Sequence, residues 1–121
     1  MKVYLAGNYH REWRQEVKQA IAGIEWLEPL STGPKGAKPR WYLLRDLALL
    51  RQADLLFAYI TDHSPVNSGT SAEMGYAYAL GIPILFVRES QEIRYDFVQG
   101  LALSTFATLE EGIEALAFVA I

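Results

Sequence analysis

The sequence contains no cysteine and only two histidines, His10 and His63. The absence of cysteine excludes disulfide frameworks, thiol catalysis and cysteine-based zinc sites, and two histidines do not suffice for a histidine-rich metal site. No apolar run reaches the roughly 18 residues that a membrane-spanning helix needs. The N-terminus also lacks the basic region and apolar stretch of a signal peptide. We therefore expect a cytoplasmic protein without a metal site and without a membrane partner.

Positive charge is not in excess. The chain has 11 Lys and Arg against 14 Asp and Glu, a formal net charge of −3, which argues against a nucleic-acid polymer as partner. The charge is uneven, because residues 30–53 carry five cations and one anion. This basic stretch is either ordinary surface scatter or a loop that meets an anionic ligand. In the second case Lys38 and Arg40 are the candidates for a phosphate contact.

The apolar pattern predicts a single domain, residues 1–121, in which strands and helices alternate. A hydrophobic fraction of 51% with 12% aromatic residues excludes disorder. Strands are predicted at 3–6, 24–27, 54–60, 83–87 and near Phe106, and helices at 11–22, 41–52, 70–80, 92–101 and from Glu110 onward. The Gly- and Pro-containing residues 30–40 are predicted to form one long loop. This order is typical of a three-layer α/β fold with a doubly wound, flavodoxin- or Rossmann-like parallel sheet of about five strands, in which Tyr4, Phe57 and Leu85 occupy central strands.

Ligands of doubly wound sheets bind beyond the carboxyl ends of the strands. Common nucleotide motifs are missing there: Gly7 is not followed by further glycines at the dinucleotide-binding spacing, and residues 33–38 lack the Walker spacing. The informative segment at this edge is Ser68-Gly-Thr-Ser-Ala-Glu-Met-Gly75. Its Glu73 has two interpretations. It is the return partner of a Thr70-x-x-Glu73 capping box at the start of a helix, or it is a functional carboxylate at the ligand edge.

Asp46 and Tyr4 are the next candidates. Asp46 lies in an otherwise basic, leucine-rich helix, where it either forms a surface ion pair with Arg45 or Arg51 or is buried near the ligand. Tyr4 lies within a buried strand, and its hydroxyl needs a hydrogen-bond partner there. A carboxylate on a neighbouring element would serve as that partner.

These segments resemble the nucleoside 2-deoxyribosyltransferase superfamily, which also includes 2′-deoxynucleoside 5′-monophosphate N-hydrolases. The resemblance rests on Val3-Tyr-Leu-Ala-Gly7, on Asp46-Leu-x5-Ala-Asp54, on Ser68-Gly-Thr-x-x-Glu-x-Gly-x-Ala77 and on Ala79-Leu-Gly-x-Pro83. The segments occur in the family's order and extend over residues 3–87. The family fold agrees with the doubly wound sheet expected from the residue pattern.

The resemblance implies a role for each candidate. Glu73 would be the nucleophile that attacks C1′ of deoxyribose, Tyr4 would orient that carboxylate, and Asp46 would contact sugar or base and assist protonation of the leaving base. No metal or organic cofactor is implied. A stretch near Tyr95 and Asp96 would reach a neighbouring subunit's site. Independently of the resemblance, apolar residues on several sides of helix 41–52 and small residues on helix 70–80 predict a homo-oligomer, at least a dimer, with one of these helices at the interface. The remaining residues expected to bind the nucleoside or nucleotide are Gly7, Asn8, Asn67, Ser68, Gly69 and Thr70.

One position departs from the family pattern. Asn67 stands where the transferases carry an Asp and the monophosphate hydrolases carry a Ser, and an amide cannot supply a proton to a leaving base. The resemblance implies that the protein transfers deoxyribose to another base. Two alternative functions are hydrolysis to free base and sugar, and nucleotide sensing without turnover. An unrelated α/β enzyme is a further alternative. Incubation with a deoxynucleoside and a second base distinguishes them.

Overall fold

The computed structural model describes residues 1–7, 12–29, 39–62 and 67–120. Within these ranges five parallel strands form one sheet in the order β2-β1-β3-β4-β5. The strands are β1 (Lys2–Gly7), β2 (Glu25–Leu27), β3 (Leu55–Ile60), β4 (Ile84–Arg88) and β5 (Ser104–Phe106). The helices are α1 (Trp13–Ala20), α2 (Pro39–Leu50), α3 (Ser68–Ala79), α4 (Asp96–Gln99) and α5 (Leu109–Val119), and a 3₁₀ turn, Ile93–Tyr95, precedes α4.

The sheet is covered on both faces, which confirms the doubly wound α/β fold. On one face, alternate residues of β1, β3 and β4 pack against α2, α3 and α4, and this face includes Tyr4, Ala58 and Met74. On the other face, the intervening strand residues pack against α1 and α5, and Trp13 stacks on Phe57 there. Strands buried on both faces explain the continuous apolar runs in the sequence. Tyr4, Phe57 and Leu85 lie on the three inner strands, as predicted.

The strand order places the expected ligand edge between β1 and β3. The chain winds from β1 outward to β2, then crosses back to β3 on the other side of β1. Connections leave in opposite directions at this switch point, so a crevice opens beyond the carboxyl ends of β1 and β3. Tyr4 lies on one of these strands, and α3 follows the other.

Several helix boundaries differ from the sequence prediction. Helix α1, predicted to extend to residue 22, ends at Ala20, because Ile21 already has extended backbone. Helix α2 begins at Pro39 instead of Trp41, because proline suits the first helical turn, where its missing N–H has no partner to lose. Residues 39–40 are therefore helical, and residues 30–38, the remainder of the predicted loop, lie outside the described residues. The helix predicted over 92–101 is a 3₁₀ turn followed by the short α4.

Helix α3 begins at Ser68, two residues before the predicted start at Thr70. Asn67 is its N-cap and makes no side-chain capping bond. The interpretation of Thr70 and Glu73 as a capping box is thus wrong, because Thr70 lies inside the first turn of α3 and Glu73 lies beyond that turn.

In the described part of the chain, no helix is both long enough and apolar enough to cross a membrane.

Candidate active site

Glu73 and Tyr4 meet at the switch point of the sheet. The Tyr4 hydroxyl donates a hydrogen bond to Glu73 Oε2 across 69 positions of sequence. Tyr4 is fully buried in β1, and Met74, next to Glu73 on α3, is fully buried against the same face of the sheet. The carboxylate is therefore held by a rigid strand and a packed helix, which is the support that a reacting group requires.

Burial changes the acidity of Glu73. Its pKa is raised from 4.5 to about 7, chiefly because the carboxylate is removed from water. The hydrogen bond from Tyr4 works in the opposite direction, the negative charge of Asp46 raises the pKa further, and the positive charge of Arg14 lowers it. Near neutral pH the side chain thus exists in both ionisation states, which is typical of carboxylates at functional sites.

Asp46 shares this environment. It lies on α2, which packs against α3, and its side chain is only 15% exposed. Arg45 Nη2 lies 3.8 Å from Asp46 Oδ1, so the surface-pair interpretation is confirmed in part. The electrostatic effect of Asp46 on Glu73 also supports the second interpretation, that Asp46 lies near the ligand edge.

Asn67 and Tyr95 form a second buried pair. Asn67 Nδ2 donates a hydrogen bond of 2.8 Å to Tyr95 Oη, and both residues are buried. Asn67 also accepts backbone and hydroxyl bonds from Ser71 through its carbonyl oxygen, so it connects the N-terminus of α3 to the segment after β4. Tyr95 lies in its own chain's core, whereas its neighbours Ile93 and Phe97 are exposed; that this stretch reaches a neighbouring subunit stays a prediction.

The segment after β4 is held by Arg88. Its guanidinium donates to the carbonyl oxygens of Ser90 and Glu92 at 2.8 and 2.9 Å and to Gln99 Oε1 at 2.7 Å. It also pairs with Asp96 at 2.8 Å. In this structure the predicted site residue Asp96 thus supports the segment that carries Tyr95.

Gly7 and Arg14 complete the end of β1. A Cβ at Gly7 would lie 2.6 Å from Trp13 Cζ2 and 3.0 Å from the Tyr59 carbonyl oxygen, so a side chain there would displace α1 or β3. Arg14, which the sequence reasoning missed, is buried and donates to the Gly7 carbonyl oxygen at 2.7 Å. A signal was present, since Arg14 lies three and seven residues before Val17 and Ile21 on the apolar stripe of α1.

The other expected site residues are distributed as follows. Ser68 and Gly69 are exposed in the first turn of α3, Thr70 is buried there, and Arg40 is exposed in the first turn of α2. Asn8 and Lys38 lie outside the described residues. Among the residues that are described, no three His, Asp or Glu side chains are grouped closely enough to hold a metal ion.

The family model described as nucleoside 2-deoxyribosyltransferase matches residues 3–108 of the chain. The chain belongs to this family. The match includes Tyr4, Asp46 and Glu73 together with the Asn67–Tyr95 pair. No curated protein sequence matches the chain.

Solved structures agree with this family assignment at the level of the fold. A 2-deoxyribosyltransferase from Bacillus psychrosaccharolyticus has 24% sequence identity and a TM-score of 0.73, with 92% of this chain and 89% of that chain covered. A CMP N-glycosidase from Clostridium botulinum has 18% identity and a TM-score of 0.68, over 98% and 99% of the two chains. A 2-deoxyribosyltransferase from Leishmania mexicana has 18% identity and a TM-score of 0.72, with 99% of each chain covered.

Proposed function

We propose that the protein cleaves the N-glycosidic bond of 2′-deoxynucleosides or their 5′-monophosphates and transfers the deoxyribose to another nucleobase. The observation that carries this proposal is the Tyr4–Glu73 hydrogen bond at the switch point of a nucleoside 2-deoxyribosyltransferase-family domain. A tyrosine that fixes a buried carboxylate supports nucleophilic catalysis more than a capping role, since Glu73 does not cap α3.

In the proposed first step, Glu73 Oε1 attacks C1′ of the deoxyribose while Tyr4 holds Oε2. The bond between C1′ and the base nitrogen breaks, its electron pair stays on the nitrogen, and a proton from Asp46 or from water neutralises the leaving base. A glycosyl ester of Glu73 remains. As in retaining glycosidases, one difficult displacement is divided into two easier ones.

In the second step, a nitrogen of another base attacks C1′ and loses its proton, and the Glu73 carboxylate leaves. Attack by water instead gives free deoxyribose or its phosphate, so hydrolysis is the alternative outcome of the same intermediate. The substrate contacts proposed around the sugar and base are Gly7, Asn8, Asn67, Ser68, Gly69, Thr70, Tyr95 and Asp96. No metal or organic cofactor takes part in these steps.

The neutral-range pKa of Glu73 suits this reaction. A carboxylate with a pKa of about 7 is ionised in a large fraction of molecules at neutral pH. Its reduced solvation also raises its affinity for the positive charge that develops at C1′ in an oxocarbenium-like transition state. The same burial would keep water away from the glycosyl ester, which favours transfer over hydrolysis.

The test is an exchange assay. Each 2′-deoxynucleoside and each 5′-monophosphate is incubated with the protein, with and without a second free base, and products are separated by chromatography. CMP is included because a structural neighbour is a CMP N-glycosidase. A new nucleoside supports transfer, and free base with free sugar supports the hydrolytic alternative. Binding without turnover in every arm would contradict the enzymatic proposal and support the sensing module.

The assay also tests the proposed phosphate contact. If Lys38 and Arg40 bind a 5′-phosphate, monophosphates should have the higher kcat/KM, and the double variant Lys38→Ala/Arg40→Ala should remove that preference. Equal kcat/KM values for nucleoside and monophosphate would show that Lys38 and Arg40 do not bind the 5′-phosphate.

A further inference from the structure

Strand β1 loses its neighbour on one side before it ends. The Met1 carbonyl oxygen accepts from Glu25 N–H of β2 at 3.1 Å, and the Lys2 carbonyl oxygen accepts from Asp54 N–H on the β3 side at 2.8 Å. Since carbonyl groups alternate along a strand, the odd-numbered residues of β1 face β2. The β1–β2 pairing ends at Tyr4 and Leu27, so the Leu5 and Gly7 carbonyl oxygens extend beyond it.

The sequence of β2 explains why the ladder stops. Glu25 N–H lies opposite the Met1 carbonyl oxygen, and in a parallel pair the next donors follow at every second residue. The donor opposite the Leu5 carbonyl oxygen would therefore be the backbone nitrogen of residue 29. That residue is Pro29, which has no N–H. The Leu5 carbonyl oxygen therefore needs a donor from outside the sheet, and the next position of the ladder, opposite Gly7, lies outside the described residues.

Arg14 donates to both carbonyl oxygens. Its Nη2 lies 2.7 Å from the Gly7 carbonyl oxygen and 3.3 Å from that of Leu5, and the residue is 8% exposed. The guanidinium lies 4.5 Å from the centre of the Trp13 ring, and its Nε lies 3.9 Å from Glu28 Oε1. Arg14 is thus fixed by aromatic, carbonyl and carboxylate groups at the end of the strand that carries Tyr4.

We propose that Arg14 is a positioning residue of the active site, which fixes the carboxyl end of β1, the strand from which Tyr4 holds Glu73. This inference rests on the proposed function. The guanidinium is well suited to it, because the two N–H groups of Nη2 bind two carbonyl groups at once, its planar shape fixes their directions, and it stays charged at every working pH. A purely apolar residue at this place would leave both carbonyl oxygens without their donor.

The charges around Glu73 come from three elements. Tyr4 on β1 donates a hydrogen bond, Asp46 on α2 is negative, and Arg14 on α1 is positive. On this face of the sheet β3 is apolar, and β4 is apolar up to its last residue, Arg88. The Arg88 guanidinium is paired with Asp96 of α4, and α4 is preceded by Tyr95, which is bonded to Asn67. Removal of Arg14 should loosen the end of β1 that carries Tyr4, whose hydrogen bond lowers the pKa of Glu73, and should remove a positive charge that lowers it further. Both effects favour the protonated form of Glu73.

The test compares two Arg14 variants with a control on the same helix. Arg14→Lys keeps the charge but loses the fork, and Arg14→Met loses both. Lys18→Met removes a neighbouring cation that binds Glu28 Oε2 at 3.0 Å and has no described contact with β1. The Glu73 titration is measured by carboxyl ¹³C NMR in substrate-free protein, with the signal assigned through Glu73→Gln. The pH profile of kcat/KM is measured in parallel.

Arg14→Met should raise the Glu73 titration midpoint and move the acidic limb of kcat/KM to higher pH. Its activity should fall more at pH 6 than at pH 8. Arg14→Lys should leave the midpoint nearer that of the unsubstituted protein but reduce kcat about tenfold or more, since small displacements of reacting groups cost that much. Lys18→Met should change neither the Glu73 titration midpoint nor kcat.

An unchanged midpoint and an unchanged profile in Arg14→Met would overturn the proposal, even if that variant melts at a lower temperature, since a merely structural role predicts that result. If Arg14→Met does not fold, Arg14→Lys still decides, because normal kcat there would contradict the positioning role. If no variant and no unsubstituted protein turns over substrate, the proposed function fails, whereas the NMR titration still tests the electrostatic contribution of Arg14.

Discussion

At the scale of single residues, Glu73 combines features that a surface carboxylate does not have. It lies beyond the first turn of α3, accepts a bond from a fully buried tyrosine and has a pKa of about 7. Desolvation of a carboxylate destabilises the folded protein, so its retention in such a place is typical of a functional group. This reasoning yields two measurable consequences.

The first consequence concerns turnover. Glu73→Gln keeps the shape of the side chain but removes the attacking oxygen anion, so kcat/KM should fall by several orders of magnitude while the protein stays folded. Tyr4→Phe should cost less, because it removes an orienting bond and leaves the nucleophile. Mass spectrometry of acid-quenched enzyme with a 2′-deoxy substrate should show a sugar adduct on the Glu73 peptide. Near-normal turnover in Glu73→Gln would refute the assignment.

The second consequence concerns stability and pH. In the unfolded chain Glu73 loses its proton near its ordinary pKa of 4.5, whereas the folded protein keeps the proton until about pH 7. Between these values the folded state binds more protons, so the free energy of unfolding falls as pH rises. The Glu73 contribution is about 3 kcal/mol at most. Urea unfolding at several pH values should show this slope reduced in Glu73→Gln, and equal slopes would contradict it.

The residue-scale features differ in how far the sequence could reveal them. Tyr4, Asp46 and Glu73 could be assigned to one site because their segments resemble the family's in the same order, and because Glu73 lies near the start of a helix that leaves the ligand edge of the sheet. The pKa of Glu73 could not, since it depends on how closely α3 packs on β1 and on which charges surround the pocket. Arg14 was missed because its partners are backbone carbonyl groups, which leave no mark on side-chain patterns.

At the scale of elements, the segment between β4 and β5 depends on one side chain. Arg88 is at the end of β4, its side chain is 10% exposed, and it binds backbone oxygens of Ser90 and Glu92 as well as the Asp96 carboxylate. The short α4 and its 3₁₀ turn contain too few residues to be stable alone. Their position is therefore set by the guanidinium, and so is the position of Tyr95 against Asn67.

Arg88→Met should consequently affect stability and substrate binding together. Loss of several charge-assisted bonds should lower the free energy of unfolding by about 2 kcal/mol, and KM should rise more than kcat falls, because Asn67 and Tyr95 are proposed substrate contacts. Lys2→Met is the control, since it removes only an exposed pair with Glu25 at 3.7 Å and should change stability by less than about 1 kcal/mol. A normal KM in Arg88→Met would show that the segment holds its place without this residue.

The pattern of apolar residues predicted the elements better than their ends. The long apolar runs of β3 and β4 could be assigned to strands because both faces of the sheet are buried. The start of α5 could also be placed closely, because the Thr108 hydroxyl accepts a hydrogen bond from Glu111 N–H, as expected of a capping residue. The start of α3 was placed two residues late because Thr70 and Glu73 imitate a capping box. The backbone shows that the helix begins earlier, at Ser68, because Ser71 N–H already donates to the Asn67 carbonyl oxygen.

At the scale of the whole molecule, α2 is unusually apolar for a surface helix. Its Trp41, Leu43 and Leu44 are exposed. The single chain does not cover all the apolar sides of α2, because Leu44 is 58% exposed. Apolar side chains grouped in this way are typical of interaction surfaces. They support the expected homo-oligomer, with α2 or α3 at the interface.

We therefore expect at least a dimer that forms through the side of the molecule that carries α2. Sedimentation equilibrium at micromolar concentration should give a mass of two or more chains, and Leu43→Glu/Leu44→Glu should shift it toward one, because two desolvated carboxylates oppose association. Phe118→Glu is the matched control: Phe118 on α5 is 77% exposed, but it lies on the opposite face of the sheet and should leave the mass unchanged. A single-chain mass for the unsubstituted protein would refute the oligomer. Dissociation by Phe118→Glu alone would move the interface to α5, away from the Glu73 side of the sheet.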